Sequence, residues 1–349
     1  YGNYSLTGFR GSGDFTVIPD KLFVRLSGVA HKNQGYVTLL DYACTHPSDP
    51  DVISGAIGRG NTGPSCNTGT EGGTDYTALR LSMRYLPTDS LEINWITDTS
   101  SVNDGTTANT LLATPASPFP TTGYAGYAYN SRFIPTNPYT SYASFTDPGY
   151  TYTPIDTAGT AGARNGAYSV NPNNVTNSWG TSATVDWKIA DGYSLKSISS
   201  YRHYNSTSGD SMSGAPVVLV MESADFTNRQ YSQELRLSGA VGTRVNFTVG
   251  GIYFDQLTTY ASRENNPILG CVQVAPGVTV PIYGGCSTPT FDFLQDDPTH
   301  TKTKAGFFNL AWNITDALTL NTGLRYTSED KTYTYERLNI DGITPFQPL

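Results

Sequence analysis

Tyrosine side chains are concentrated in one long segment of the chain, which also contains one arginine. Residues 123–154 read GYAGYAYNSRFIPTNPYTSYASFTDPGYTYTP. Exposed tyrosine rings can stack on a siderophore, a sugar or a porphyrin-like ring, while their hydroxyls supply hydrogen bonds. The alternative is that the rings pack against one another, or on lipopolysaccharide, and stabilise a large loop. The candidate ligand-binding residues are Tyr124, Tyr127, Tyr129, Arg132, Tyr139, Tyr142, Tyr150 and Tyr152.

A second set of candidates is charged and occupies alternate positions in stretches that read as strands. Because successive side chains of a strand point to opposite faces, these charges share the face opposite the apolar residues. We expect them to line a wet lumen, where they form a pathway or contact another segment. Cross-strand ion pairs that only stabilise a polar surface are the alternative. The residues are Arg25, Arg80, Arg84, Glu92, Glu234, Arg236 and Arg325.

No other group of residues has the spacing of a catalytic or metal site. His31, His46, His203 and His300 are scattered through the sequence, without the spacing of a metal motif. No G-x-S-x-G elbow frames a nucleophile. We therefore expect no enzymatic activity, no bound metal and no cofactor.

The four cysteines form two local pairs within segments rich in Gly, Pro and Thr. The pairs are Cys44 with Cys66 and Cys271 with Cys286, and neither has C-x-x-C spacing. A disulfide that closes each loop is therefore expected, with free buried thiols as the alternative. Disulfides would place both loops outside the cytoplasm.

The composition excludes several classes of protein. Only 14% of the 349 residues are charged and 12% are aromatic, whereas soluble domains average about 25% charged residues. A net charge of -8 argues against nucleic-acid binding, which requires a basic surface. No apolar run approaches the ~20 residues of a membrane-spanning helix, but strands that span a membrane are recognised by alternation instead.

Alternating segments recur in pairs that are joined by short turns. In the third pair, for example, Asp191 and Gly192 form a two-residue hairpin signal. The five predicted turns lie at Pro19-Asp20, at Pro87 to Ser90, at Asp191-Gly192, near Gly242 and at Asp316-Ala317.

The connections between pairs are much longer than the turns within them. They cover approximately residues 39–73, 104–176, 208–225 and 261–303. Short turns on one side and long loops on the other are typical of outer-membrane barrels, which have short periplasmic turns and long extracellular loops. We predict an all-β fold: a transmembrane antiparallel β-barrel, here about ten strands of a larger barrel.

Two stretches resemble TonB-dependent outer-membrane receptors of the siderophore-receptor type. They are YSQELRLSG at 231–239 and AWNITDALTLNTGLRYTSEDK at 311–331. The first 37 residues resemble the first barrel strands of that family, which follow its plug domain. The family's barrel has about 22 strands and is closed by the plug. Because a plug and further strands are not seen in residues 1–349, we read the chain as the N-terminal portion of the barrel of a longer polypeptide.

The resemblance implies energised import through the outer membrane of a Gram-negative bacterium. The expected solute is a scarce one, such as a ferric siderophore or a similar chelate. The expected partners are outer-membrane lipid, lipopolysaccharide and the TonB complex, the last through the plug region. A passive porin-like channel and a surface adhesin or structural β-assembly are the alternatives, and uptake that depends on the proton-motive force would exclude both.

Overall fold

A computed structural model defines most of the chain. It describes residues 1–54, 57–58, 64–114, 129–147, 168–217, 220–266, 271–275, 278–281, 291–339 and 342–346. Only the backbone is described at residues 147, 266, 271–275, 278–281 and 291. Among these residues, no helix combines the length and the apolar character needed to cross a membrane.

Strands dominate the described residues. In chain order they are β1 (Thr7–Ile18), β2 (Leu22–Asn33), β3 (Val37–Leu40), β4 (Asn67–Glu71), β5 (Thr74–Thr88), β6 (Leu91–Gly105), β7 (Thr140–Ser141), β8 (Thr146–Asp147), β9 (Tyr168–Ser169), β10 (Asn173–Ala190), β11 (Tyr193–Ser211), β12 (Met221–Val241), β13 (Val245–Asn266), β14 (Cys271–Ala275), β15 (Val278–Pro281), β16 (Phe291–Asp296), β17 (Thr299–Thr315), β18 (Leu318–Tyr333) and β19 (Glu336–Asn339). Two short helices, α1 (Tyr42–Thr45) and α2 (Pro50–Ile53), lie between β3 and β4.

Ten long strands form one continuous antiparallel sheet. Each pairs with the next in the order β1-β2-β5-β6-β10-β11-β12-β13-β17-β18, while β16 and β19 extend the loop end of β13. All five predicted hairpins are present. In the β10–β11 hairpin, Gly192 adopts a φ of +74°, which suits a residue without a β-carbon. The all-β antiparallel architecture predicted from alternation is thus confirmed.

The two ends of the sheet differ in the length of their connections. At one end, which we call the turn side, Asp191 and Gly192 alone join β10 to β11. At the other end, the loop side, residues 106–172 join β6 to β10. The predicted loop at 208–225 is shorter in the structure, because the β11–β12 ladder continues to Ser211 and Met221 and leaves only residues 212–220.

The strand register separates a polar face of the sheet from an apolar one. The apolar face carries two rows of aromatic side chains, with Trp179 and Trp187 of β10 in different rows. Eight residues separate these tryptophans, about 26 Å along a strand and about 20 Å along a barrel axis at the usual tilt. This height suits the apolar band of a membrane barrel, about 25 Å. The loop-side aromatic row is Trp179, Tyr201, Tyr231 and Tyr253, and the turn-side row is Trp187, Tyr193, Phe247 and Trp312.

The apolar face is open to its surroundings rather than covered by protein. Trp187 is 47% exposed, Leu235 48% and Leu324 76%. Exposed apolar surface of this extent marks an interaction with a membrane or a partner. This face also carries the aromatic rings of Tyr85, Tyr253, Trp312 and Tyr326.

Candidate functional site

All seven charged residues predicted to share a face do so. Arg84 of β5 lies opposite Asn94 of β6. Glu92 is two residues before Asn94 on β6 and therefore lies on the same face. Glu92 lies opposite Asp186 of β10, and the ladders continue through β11 to Arg236 of β12. From Arg236 the register runs across β13 and β17 to Arg325 of β18. The polar face therefore crosses all ten long strands.

Ion pairs link most of these charges to neighbours on the polar face. Arg25 donates two hydrogen bonds of 2.7 Å to the carboxylate of Asp14. Arg84 forms a similar bidentate pair with Glu92, donating at 2.8 and 3.0 Å. Glu234 pairs with Arg236, and the guanidinium of Arg325 donates to the hydroxyl of Thr327 at 3.0 Å. The contacts of Arg25 and Arg84 are cross-strand ion pairs, whereas those of Arg236 and Arg325 lie within one strand.

One ladder at mid-height of the polar face carries excess positive charge. We call it the arginine row, and its charged members are Arg80, Asp98, Arg202 and Lys331, with Gly180 between Asp98 and Arg202. Asp98 accepts hydrogen bonds from Arg202 at 3.0 and 3.1 Å and lies 3.8 Å from the Arg80 guanidinium. The row thus holds three cations and one carboxylate: Arg80 and Arg202 contact Asp98, and Lys331 lies six strands beyond Asp98 along the same ladder. A surface with this balance attracts anionic solutes.

Aromatic rings cover the polar face above the arginine row. Tyr204 and Phe226 stack with their ring centroids 5.5 Å apart, and His31 stacks on Tyr76 at 5.4 Å. Such rings offer flat apolar contact area together with a hydroxyl or a ring nitrogen. These rings were not among the predicted site residues, although the alternation that placed the charges on this face also places the rings there.

Carboxylates follow at the loop end of the polar face. Asp210, Glu222 and Glu264 lie in one ladder across β11, β12 and β13. The Tyr260 hydroxyl donates to the Glu222 carboxylate at 2.5 Å. The polar face therefore changes in charge along the barrel height, from acidic at the loop end to basic in the middle.

A compact loop module lies on the loop side of the sheet. It consists of β3, β4 and β7, the helices α1 and α2, and the segments 129–142 and 213–217. Its buried core contains Tyr42, Ala43, Ile57, Phe133, Ala215 and Val217. Strand β3 pairs antiparallel with β4 and parallel with β7, which joins two distant loops into one small sheet.

Three of the eight predicted ligand-binding residues help to hold this loop module together. Arg132 donates to Asp49 at 3.1 and 3.2 Å and forms an ion pair with Asp51. The Tyr129 hydroxyl donates to the carbonyl of Ser213 at 2.8 Å. Tyr142 packs edge-on against Tyr42 with centroids 5.2 Å apart. These contacts support the packing alternative for the three residues.

The remaining five residues of that set differ from these three. Tyr139 is 59% exposed and available to a solute. Tyr124, Tyr127, Tyr150 and Tyr152 lie outside the described residues.

Electrostatics favour the ionised form of Asp49 at the centre of the module. Burial raises the pKa of Asp49, but the Asp51 backbone N–H, the Tyr42 hydroxyl and Arg132 outweigh burial and hold this pKa below its usual value. The Tyr42 hydroxyl donates to Asp49 at 2.9 Å, and burial together with this bond raises the pKa of Tyr42. The cluster thus holds two carboxylates, Asp49 and Asp51, around the cation Arg132 and connects α2 to segment 129–142. Tyr42 and Asp49 were not recognised in the sequence.

A disulfide bond cross-links the same module. Cys44 and Cys66 are bonded, with their α-carbons 5.4 Å apart, as predicted. The second predicted pair involves Cys271, whose backbone begins β14, and Cys286. That pair lies outside the described side chains.

Comparison with known proteins identifies the family. The family described as TonB dependent receptor-like, beta-barrel matches residues 114–345. The chain therefore belongs to the TonB-dependent receptor β-barrel family, and its sheet is part of such a barrel. No curated protein matches the sequence.

A solved receptor structure shares the fold, and two others superpose with lower TM-scores. FyuA, the ferric yersiniabactin uptake receptor of Yersinia pestis, superposes with a TM-score of 0.54 and 12% identity over 98% of this chain and 39% of that receptor. Fiu, the ferric-catecholate import receptor of E. coli K12, has a TM-score of 0.43 and 17% identity over 99% of this chain and 48% of its own. The siderophore receptor PiuA of Acinetobacter baumannii has a TM-score of 0.45 and 11% identity over 95% of this chain and 44% of its own. The chain thus spans less than half the length of these receptors.

Proposed function

We propose that this chain is part of an outer-membrane receptor for TonB-energised uptake of a ferric siderophore or a similar chelate. Family membership carries the proposal, and the fold shared with a ferric yersiniabactin receptor agrees with it. The location is the outer membrane of a Gram-negative bacterium. The partners are its lipid, lipopolysaccharide and the TonB complex, which engages through a plug region. The reaction is transport without covalent chemistry.

The polar face lines the lumen in this proposal. Most of its charged residues form ion pairs or hydrogen bonds with other protein groups. Such a charged surface suits a wet interior and would be costly against lipid, where Arg near the midplane costs ~2–4 kcal/mol. The excess positive charge of the arginine row favours a chelate with net negative charge. The aromatic rings above it, among them Tyr204 and Phe226, favour a chelate with flat aromatic groups.

The loop contacts of the solute are a subset of the predicted tyrosines. Tyr139 is the described candidate because its ring is exposed, and we propose Tyr124, Tyr127, Tyr150 and Tyr152 beside it. We assign Tyr129, Arg132 and Tyr142 a structural role in the loop module, which holds the solute-binding tyrosines in place.

Binding to the full-length purified protein tests the proposal. Tryptophan fluorescence would be titrated with an anionic ferric tris-catecholate and with a neutral ferric tris-hydroxamate. Saturable binding that favours the anionic chelate is expected, and Arg202→Gln should weaken it about tenfold, as expected when a hydrogen bond to a charged group is lost. Arg244→Gln is the matched control, because Arg244 lies at a turn-side end near Asp316.

Proteoliposomes separate a receptor from an open channel. With the full-length protein, a receptor keeps small sugars out, whereas a porin admits them and the vesicles swell. Rapid swelling together with no saturable chelate binding would contradict the proposal.

A further inference from the structure

The apolar face of the sheet contains a trough where two glycines lie side by side. Gly251 of β13 pairs directly with Gly306 of β17, and Leu235 and Tyr326 flank the pair on β12 and β18. Neighbouring strands are ~4.8 Å apart, so the missing side chains leave a gap about 10 Å wide between the flanking residues. The cavity has a volume of about 750 Å³, and Leu237 is among its apolar walls.

A lysine stands at the loop-side end of this trough. Lys304 lies two residues before Gly306 on the same face of β17 and opposite Tyr253 of the loop-side aromatic row. It lines the cavity, and its side chain is exposed. The apolar trough therefore ends at a cation at the height where aromatic rings mark the headgroup region of a membrane.

A second exposed cation stands farther toward the loops. Arg229 is two residues beyond Tyr231, on the apolar face of β12. Among the described residues, the ion pairs include neither Arg229 nor Lys304. Lys302, also exposed on this face, lies between Asp255 and Asp330 in the ladders and is partly neutralised. Arg229 and Lys304 thus project positive charge just beyond the apolar band.

An apolar trough that ends in unneutralised cations is complementary to an amphiphile with acyl chains and an anionic headgroup. We propose that the trough at Gly251 and Gly306 is a specific site for the phosphorylated glycolipid of the outer leaflet. One acyl chain fills the trough, and a lipid A phosphate meets Lys304, with Arg229 toward the sugar. The choice of the outer leaflet rests on the proposed outer-membrane location, since the cations lie on the loop side.

Glycine has a specific role in this site because a side chain at either position would fill the trough. A β-carbon added at Gly306 would meet no atom within 4 Å, so the backbone tolerates a larger residue there. Gly306→Leu is therefore a variant that should fold and still occlude the trough. Lys304→Gln removes the charge and leaves the trough open.

Native mass spectrometry of the full-length protein in detergent tests the site. The probes are diphosphoryl lipid A, monophosphoryl lipid A and phosphatidylglycerol at equal concentration. We expect retention of diphosphoryl lipid A above the other two, and about a fivefold weaker affinity in Lys304→Gln, the change expected for one Lys near anionic lipid. Gly306→Leu should lose the preference for lipid A over phosphatidylglycerol.

Lys188→Gln is the matched control, since Lys188 is exposed on the polar face near the turn-side end of β10, away from the trough and from the arginine row. Equal lipid A retention by wild type, Lys304→Gln and Gly306→Leu would overturn the site, as would a preference for phosphatidylglycerol. Chelate uptake measured on the same variants separates the two proposals. If lipid A binding depends on Lys304 but the protein takes up no chelate, the lipid site is supported and the receptor function is contradicted. If the protein takes up chelate but lipid A binding does not depend on Lys304, only the lipid site is contradicted.

Discussion

Arg202 reaches across a whole strand to bind Asp98. The arginine is on β11 and the aspartate on β6, and β10 runs between them; even so, Nη2 of Arg202 lies 3.0 and 3.1 Å from the two carboxylate oxygens. The position between them in the ladder is Gly180. A β-carbon there would lie 2.9 Å from Cζ of Arg202, so the absence of a side chain permits the contact.

Substitution of Gly180 should break this bridge. Gly180→Ala is expected to displace the Arg202 guanidinium and lower stability by about 1 kcal/mol, the net worth of a charged hydrogen bond at a partly exposed site. In an Arg202→Met background the same change should cost little, because the clash and the bond are both gone. Thermal midpoints in detergent would show the coupling, with Gly306→Ala as the glycine control. Equal costs in both backgrounds would refute the bridge.

Substitutions at two adjacent residues of β12 should differ sharply in their effect on barrel assembly. Leu235 lies on the exposed apolar face, whereas Arg236 pairs with Glu234 on the polar face. Leu235→Arg should sharply reduce assembly, because an arginine facing lipid near the midplane costs ~2–4 kcal/mol. Arg236→Leu should assemble well by comparison. Heat-modifiable bands from purified outer membranes measure the folded fraction, and equal amounts of both variants would show that the facing is wrong.

Loss of the loop disulfide should loosen the loop module and spare the barrel. Cys44 and Cys66 are 22 residues apart, and closing a loop of this size is worth about 3 kcal/mol on the chain-entropy model. The Cys44→Ser/Cys66→Ser double variant should be cut faster by protease between β3 and β4, with an unchanged barrel midpoint. Treatment of wild type with reductant is the parallel control. Cleavage at the wild-type rate in both samples would contradict a stabilising role.

The loop module should also weaken as the pH rises. Glu71 is 2% exposed, and burial raises its pKa from 4.5 to about 7, with the Asn109 N–H opposing and Asp210 adding to the rise. The folded loop therefore holds the proton more tightly than the unfolded one, so the stabilisation is complete below pH 4.5 and is lost as the pH rises through 7.

Hydrogen exchange at Tyr36 reports this effect, because its N–H donates to the Glu71 carbonyl at 3.0 Å. In the wild type, the protection factor of the Tyr36 amide, corrected for the intrinsic exchange rate, should fall between pH 5.5 and pH 8. Glu71→Gln should flatten the profile, and Asp89→Asn in a short turn is the control. A flat wild-type profile would disprove a buried, proton-binding Glu71.

The barrel strands were predictable because their signals are local. Alternation set the facing of Arg84, Glu92 and Arg236, and pairs such as Asp191-Gly192 placed the turns. In a hairpin, a turn and an alternating pattern together determine the register, so neighbouring strands needed no distant information.

Apart from its disulfide, the loop module was not predictable, because its other contacts join residues that are distant in the sequence. Arg132 binds Asp49 across 83 residues, and the Tyr129 hydroxyl reaches Ser213 across 84. Tyrosines in a polar loop can pack or bind, and only those partners distinguish packed Tyr142 from exposed Tyr139. The bridge from Arg202 to Asp98 was missed for a related reason, since it skips a strand and depends on the glycine between.

Energised import is the central claim, and radioactive iron tests it most directly. Cells whose only receptor for a panel of ferric chelates is the full-length protein would be given each chelate with and without a protonophore. Accumulation of an anionic chelate that stops when the proton-motive force is collapsed, while surface binding persists, is the expected result. Accumulation that continues undiminished in the presence of the protonophore would contradict a TonB-energised receptor and favour a passive channel.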